Sequence, residues 1–272
     1  MNGKGWKITL LVARMQGMKR LLPVFAFFFL AACFPQRNAE IPPIELIPTN
    51  ASSALPAQDS SPHSPKPDPD TIPVPSSVSP KPLPSSATLS VPFSPQAPLA
   101  NWDPLHEESC EEMSLIMVHH FLAGTALTRD GAEQEIQDLV KWETEHGYPM
   151  DVTVKGLGEI AEKYYRYRSE VIENPTEEKL KRLLSDGHPV IVPAAGRDLN
   201  NPYFSGDGPW YHMLVLTGYG WWHFVTNDPG TRRGEGYEYR FGTLMNAIHD
   251  WTGVKEEIRK GRSAVLVLEK KQ

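Results

Sequence analysis

Apolar and polar residues follow two different periods along the chain beyond residue 91. Up to residue 185 the apolar residues recur every three to four positions, which predicts helices. Beyond residue 189, short runs rich in β-branched and aromatic residues predict strands. The predicted helices are Cys110–Ala123, Glu133–Glu145, Val154–Tyr165, Thr176–Ser185 and Phe241–Trp251, and the predicted strands are Pro189–Pro193, Met213–Tyr219, Trp222–Asn227, Gly236–Arg240 and Ala264–Leu268. Helices followed by an antiparallel sheet indicate an α+β fold.

The segment before this part has the composition of a disordered chain. Seventeen of the 26 prolines lie between Pro35 and Pro98, mixed with Ser, Ala and Thr. Because proline fixes φ and has no N–H to donate, such a segment forms neither a helix nor a sheet. We therefore predict a disordered, partly polyproline-II linker over residues 34–90 and one folded domain over residues 91–272.

The N-terminal residues have the features of an export signal. Two basic residues precede the apolar run Leu21–Ala32, which ends at Cys33. The run is shorter than the roughly 20 residues that span a bilayer, and it fits the core of a signal peptide. Its end resembles the lipobox of bacterial lipoproteins, in which the cysteine is lipidated. We expect a signal peptide over residues 1–33, starting at Met1 or Met18, and a lipid-anchored protein outside the cytoplasm; an uncleaved membrane anchor is the alternative.

Charge and motif content narrow the possible functions. The net charge of −6 and the lack of a basic block in the folded part argue against a nucleic-acid partner. No CxxC motif, metal-ligand spacing or glycine-rich phosphate loop is present, so we expect no metal and no cofactor. With Cys33 lipidated, Cys110 remains as a free thiol, which is a candidate reactive group in an exported protein.

Cys110 lies at a predicted helix start. Ser109, followed three residues later by Glu112, matches the capping box and places Cys110 at the first helical position. The helix N-terminus stabilises a thiolate, so we expect a lowered thiol pKa and a nucleophile. Glu111 and Glu112 oppose this effect because like charges disfavour a second anion, so the thiolate needs a cationic partner. The alternative is a buried, inert thiol.

Histidine is the natural partner for such a thiol. His119 and His120 lie more than two turns along the same predicted helix, too far to reach Cys110. His212 opens a predicted strand, and Asp228 follows the end of the next strand. The two residues therefore lie at the same open end of a hairpin, where a carboxylate can orient an imidazole as in a catalytic triad. A plain turn residue is the alternative for Asp228.

These features together resemble the peptidase domains of the bacteriocin-processing, double-glycine type, which are papain-like cysteine peptidases. The resemblance covers residues 91–268 and rests on Gln96, the helix start Glu108–Ser114, His212 and the strand end Asn227–Gly230. It implies a papain-like α+β fold with N-terminal helices packed on an antiparallel β-sheet. Glu111 departs from the family, because many members have glycine after the cysteine.

The resemblance also implies roles for individual residues. Cys110 is expected to be the nucleophile, His212 the general base and acid, and Asp228 the residue that orients His212. Gln96 is expected to donate a side-chain N–H to the oxyanion hole, together with the backbone N–H of Cys110. Two further segments are candidates for the substrate groove: the polar loop 200–210, which is otherwise a connector, and Arg232 with Arg233, which bind a substrate carboxylate or form a solvated turn.

The expected reaction is hydrolysis of a peptide or amide bond through a thioester acyl-enzyme. The expected partners are a peptide or protein substrate in the envelope or outside the cell, and the membrane through the lipid anchor; we expect a monomer. Two alternatives stay open. The domain is an inactive peptide-binding module of the same fold on the cell surface, or it is an acyl or amide transferase that uses the same Cys-His-Asp chemistry.

Overall fold

The structure is a computed structural model that describes residues 82–271. The predicted signal peptide with Cys33, and residues 34–81 of the predicted linker, lie outside the described residues. Between residues 82 and 271, no helix combines the length and the apolar character that are needed to cross a bilayer.

The domain is built around one antiparallel sheet. Its seven strands are β1 Ala87–Thr88, β2 Tyr167–Glu173, β3 Val190–Ala195, β4 Tyr211–Tyr219, β5 His223–Asn227, β6 Tyr237–Arg240 and β7 Ala264–Lys270. The strand order is β2-β7-β3-β4-β5-β6, and β1 adds to the far end of β4. Strand β4 lies inside the sheet and is buried along its whole length. Its first residues, Tyr211 and His212, are therefore rigidly held.

Within the described part of the chain, six α-helices and two short 3₁₀ helices accompany the sheet. They are α1 Pro104–Glu107, α2 Cys110–Ala123, α3 Arg129–Glu145, α4 Val154–Tyr164, α5 Glu177–Ser185 and α6 Phe241–Ala247, with 3₁₀ turns at Gly196–Leu199 and Lys255–Lys260. Alternate residues of the strands face opposite sides, as the pleat requires. Ile191 and Met213 therefore pack with helices α2 to α4 on one side, whereas Val190 and Leu214 pack with α5 and α6 on the other.

The fold confirms the predicted α+β architecture, with the N-terminal helices packed on an antiparallel sheet. Helix α2 has the predicted ends, and Gly124 closes it in the left-handed conformation (φ 72°). The helix is buried on every side over its first nine residues, whereas the sequence predicted a single apolar stripe. Strand β2 was missed because it is an edge strand with several polar residues, paired to the distant β7.

Residues 82–90, which the composition assigned to the end of the linker, lie against the domain. Ala87 and Thr88 pair with Tyr219 and Gly218 at the end of β4. The backbone N–H of Leu89 donates to the carbonyl of Thr217 over 2.7 Å. This short extension leads the chain along the sheet towards residue 96, which borders the site described next.

Candidate active site

Cys110 lies at the first position of α2 and lines a cleft of about 1110 Å³. The predicted capping box is not formed. Ser109 occupies the N-cap position, but its hydroxyl donates to the carbonyl of Leu105 over 2.7 Å and caps no N–H of α2. The reason is that helix α1 ends only two residues earlier, which brings its last carbonyls next to Ser109. The N-terminal position of Cys110 was thus predicted correctly from a capping pattern that the structure does not use.

His212, which lines the same cleft, forms a buried pair with Asp228. Nε2 of His212 lies 2.7 Å from Oδ1 of Asp228, and both side chains are almost completely buried. The predicted proximity at the open end of the β4–β5 hairpin is therefore confirmed. Within residues 82–271, Nδ1 of His212 has no hydrogen-bond partner, so this nitrogen is available to a group in the cleft.

Asp228 is held by several further donors. Tyr239 donates its hydroxyl to Oδ2 over 2.5 Å, and Asn201 donates its amide N–H to the same oxygen over 3.1 Å. The backbone N–H of Gly230 donates to Oδ1 over 3.0 Å. Burial alone raises the pKa of Asp228, but the charge of His212 and these hydrogen bonds outweigh it and hold the pKa below its usual value. The carboxylate is thus fixed in its ionised form beside the imidazole.

Cys110 and His212 come together through helix α2 and strand β4. The backbone of Met213, the residue after His212, acts to lower the pKa of the Cys110 thiol, although other causes outweigh it. Cys110 and His212 both line the cleft. The backbone N–H of Cys110 has no acceptor within the described residues, as expected at the first turn of a helix. It is therefore free to donate to the oxygen of a carbonyl group that the sulfur attacks.

Glu111 contacts the thiol directly. The thiol of Cys110 donates to Oε2 of Glu111 over 2.9 Å, while Oε1 of Glu111 accepts the backbone N–H of Val152 over 3.3 Å. Burial, followed by the charge and hydrogen bond of Glu111, raises the pKa of the Cys110 thiol well above its usual value. The lowered thiol pKa expected from the helix N-terminus is therefore not found. Burial is the largest cause of the raised pKa, and the opposing effect of Glu111 that the sequence predicts adds to it.

A second pair of buried acids lies behind Glu111. Glu112 on α2 and Glu143 on α3 are both buried, and each of the two acids shifts the pKa of the other. Burial raises the pKa of Glu112 to about 7, and burial together with the charge of Glu112 raises that of Glu143 to about 10. Burial raises the pKa of Glu111 as well, and the charge of Glu112 raises it further. Both glutamates at the start of α2 therefore lose their protons at a higher pH than a solvated glutamate does.

Gln96 lines the cleft, but its amide is engaged. Nε2 donates to the carbonyls of His106 and Glu107 over 2.8 and 2.9 Å, which uses both of its hydrogens. Its backbone N–H donates to the carbonyl of Pro229 over 2.9 Å, so Gln96 ties the end of α1 to the turn after Asp228. The proposed oxyanion role of Gln96 stays a prediction, and in this conformation its side chain offers no free N–H.

The other candidate segments also border the cleft. The loop between residues 202 and 210 contributes Tyr203, Phe204 and Trp210, and the turn after Asp228 contributes Arg232 and Arg233. Sequence reasoning did not find the lining residues Trp102, Asp151 and Lys255, or the Asp228 partners Asn201 and Tyr239. These residues come from loops and strands far apart in the chain and share no local motif.

His119 and His120, which the sequence predicted to be too far from Cys110 to contact it, lie away from the cleft. His119 lies 2.9 Å from the hydroxyl of Tyr167, and His120 pairs with Glu135 over 2.8 Å. Neither residue lines the cleft. Among the described residues, no cluster of three or more His, Cys, Asp or Glu side chains is arranged to hold a metal ion.

The chain is similar to several known proteins. A C39-like peptidase from Bacillus anthracis has a similar solved structure, with 15% sequence identity and a TM-score of 0.46 over 69% of this chain and 99% of that one. Xylellain, a cysteine protease from Xylella fastidiosa, has 16% identity and a TM-score of 0.36 over 70% and 87%. No curated protein matches the chain. Residues 88–268 match the model of the Peptidase_C39 like family, and since this is well over half of the sequence, the chain belongs to that family.

Proposed function

We propose that the protein is a cysteine peptidase that hydrolyses peptide or amide bonds through a thioester acyl-enzyme. The observation that carries the proposal is the buried His212–Asp228 pair, with Nε2 bonded to Oδ1 over 2.7 Å, on the same cleft as Cys110. Asp228 holds the imidazole by Nε2, so Nδ1 is the nitrogen left to exchange a proton with the thiol. This arrangement of nucleophile, base and orienting carboxylate is the general pattern for activating a thiol.

The reaction proceeds in two halves. His212 accepts the thiol proton, and the Cys110 thiolate attacks the substrate carbonyl carbon to form an S–C bond. The backbone N–H of Cys110 stabilises the oxyanion. The intermediate collapses when His212 gives its proton to the leaving amine, which breaks the C–N bond and leaves a thioester. Water then attacks the thioester, with His212 again as base, and releases the carboxylic acid and the free thiol.

The test is cleavage of a peptide library by the full chain, read by mass spectrometry. We expect product ions with the wild type and none with Cys110→Ala, and an acyl adduct on Cys110 when the reaction is quenched early. A strong loss with His212→Ala is also expected. If the wild type yields the same peptides as Cys110→Ala, the protein is not a peptidase. Adding an amine acceptor identifies a transferase, because acceptor-linked products then replace the free acid.

A catalytically inactive peptide-binding module is the second candidate. The observation that favours it is the resting state of Cys110, whose thiol donates to Glu111 and whose pKa is raised. Such a module binds library peptides in the cleft and returns them uncut. Binding that is unaffected by Cys110→Ala, with no product in any condition, distinguishes it from the enzyme.

We further propose that the domain is exported and held on the membrane by a lipid on Cys33. The support is the sequence of the N-terminal segment: an apolar run of signal-peptide length that ends in Ala-Ala-Cys. In a bacterial host the wild type should fractionate with membranes and begin, by mass, at a lipid-modified Cys33. A Cys33→Ala variant should lose both properties. Equal membrane association of the two proteins contradicts the lipid anchor.

A further inference from the structure

The wall of the cleft on the Cys110 side is acidic. Glu107 and Glu108 lie just before the nucleophile, and Asp151 adds a third carboxyl group next to the contact between Val152 and Glu111. One cation opposes them, since Nζ of Lys255 bonds to Glu108 over 3.0 Å. Three carboxyl groups and one ammonium therefore face the same side of the cleft.

The wall on the His212 side is basic. Arg232 and Arg233 both line the cleft, and within residues 82–271 neither has a carboxylate partner. The turn that carries them is fixed against the catalytic pair, because Gly230 lies so close to His212 that a Cβ there would be 2.8 Å from Cε1. Arg233 packs over the ring of Tyr203 with its guanidinium carbon 4.7 Å from the ring centre. The two positive charges are thus presented to the cleft without an internal counter-ion.

In the proposed reaction the two walls contact different parts of the substrate. The acyl part of the substrate becomes bonded to the sulfur of Cys110, whereas the leaving amine has to receive its proton from His212. The residues that follow the scissile bond therefore extend past His212 towards Arg232 and Arg233. The residues that precede the bond remain on the side of Glu107, Glu108 and Asp151.

We propose that the cleft selects peptides that carry a basic residue before the scissile bond and an acidic residue after it, with Arg232 and Arg233 as the specificity-determining residues on the leaving-group side. This proposal rests on the proposed peptidase function for its direction. It names the substrate class as a polar peptide whose charges complement both walls, because charge complementarity both steers association and disfavours the opposite arrangement.

The experiment uses two capped, fluorescence-quenched peptides of identical composition and net charge. Both share one cleavable core; the first has two arginines before it and two glutamates after it, and the second has the reverse order. With the full-length wild type we expect kcat/KM about tenfold higher for the first peptide, the size that a few exposed ion pairs supply. The preference should shrink in 0.5 M salt, which screens charges beyond roughly 4 Å.

The variant that tests the assignment is Arg232→Glu with Arg233→Glu, which should abolish or invert the preference. A matched control, Arg129→Glu with Lys141→Glu, makes the same change in net charge at two exposed positions of α3 outside the cleft and should keep it. Equal cleavage of the two peptides by the wild type overturns the proposal. So does an unchanged preference in the Arg232/Arg233 variant.

A failure of catalysis is separated from a failure of selectivity by a binding measurement. If the wild type cleaves neither peptide, the peptidase proposal fails, and the two peptides are compared by fluorescence anisotropy with the Cys110→Ala variant. About tenfold tighter binding of the Arg-before-Glu peptide, lost in the Arg232/Arg233 background, supports the charge selectivity. Equal binding of the two peptides overturns it.

Discussion

Replacing Glu111 with glutamine should increase the reactivity of the Cys110 thiol. Oε2 of Glu111 accepts the thiol hydrogen over 2.9 Å in an almost completely buried environment. Glutamine has nearly the same shape, and its carbonyl oxygen can still accept the N–H of Val152, while its amide N–H replaces the acceptor that faces the sulfur. The substitution thus removes a group that repels a thiolate and adds one that stabilises it.

The size of the effect follows from the distance between the two groups. A full negative charge about 3 Å from the thiolate costs roughly 5 kcal/mol at an effective dielectric constant of about 20. This is an upper bound, because burial raises the pKa of Glu111 and keeps it neutral over part of the pH range. A less basic thiolate is also a weaker nucleophile, which offsets about half of the gain on a logarithmic scale. We expect a rate increase of about tenfold to a hundredfold.

The assay is the second-order rate of Cys110 alkylation by iodoacetamide between pH 5 and 9, with the modified cysteine identified by peptide mass mapping. Glu108→Gln is the matched control, since Glu108 lies two residues before Cys110, pairs with Lys255 and does not contact the thiol. It should change the rate by less than about threefold, as expected for a partly exposed charge that is paired with a lysine. If folded Glu111→Gln protein reacts at the wild-type rate throughout, Glu111 does not keep the thiol protonated.

Three further outcomes are expected. Asp228→Ala should lower kcat/KM for peptide cleavage by about a hundredfold to ten-thousandfold. Asp228→Asn should lower it by less, because an amide oxygen can still hold His212. Equal losses in the two variants contradict the orienting role. Burial raises the pKa of Glu143 from 4.5 to about 10. Between these values the folded state keeps a proton that the unfolded state loses. The free energy of unfolding should therefore fall from pH 5 to pH 8, by at most about 1.4 kcal/mol per pH unit. Glu143→Gln should flatten this fall in urea titrations, whereas Glu145→Gln, on the exposed face of the same helix, should not. Gly230→Ala should lower kcat with little change in melting temperature, since the added Cβ presses on the His212 ring, and an unaltered kcat argues against a tight fit there.

The parts of the site that were predictable depend on rules that act over short distances. Helix α2 was predicted to its ends because Gly124 permits the left-handed conformation that closes a helix. The approach of His212 to Asp228 was predictable because a hairpin places residues at equal distances from its turn side by side, and the one irregularity between Leu216 and Gly218 did not separate them.

The parts that were missed depend on burial, which local patterns do not report. Glu112 belonged to a plausible capping box, yet it turns towards Glu143 on another helix. Glu111 was recognised as an opposing charge, but its direct bond to the thiol follows from the way that Val152 and β4 enclose it. Glutamates at a helix start are usually exposed to solvent. Here the packing of α3 and the sheet against α2 buries them, and a local sequence pattern does not report such packing.

The two halves of the site differ in how close they are to a reactive state. The imidazole is already oriented, because Asp228 is ionised and bonded to Nε2 in the resting structure. The thiol is not ready, since its proton is directed at Glu111 and its pKa is raised. Ionisation of Cys110, and not alignment of His212, should therefore be the step that limits the proposed reaction. Changes at Glu111 should then act on the acylation rate, while changes at Asp228 lower both acylation and the hydrolysis of the thioester, because His212 serves as base in each.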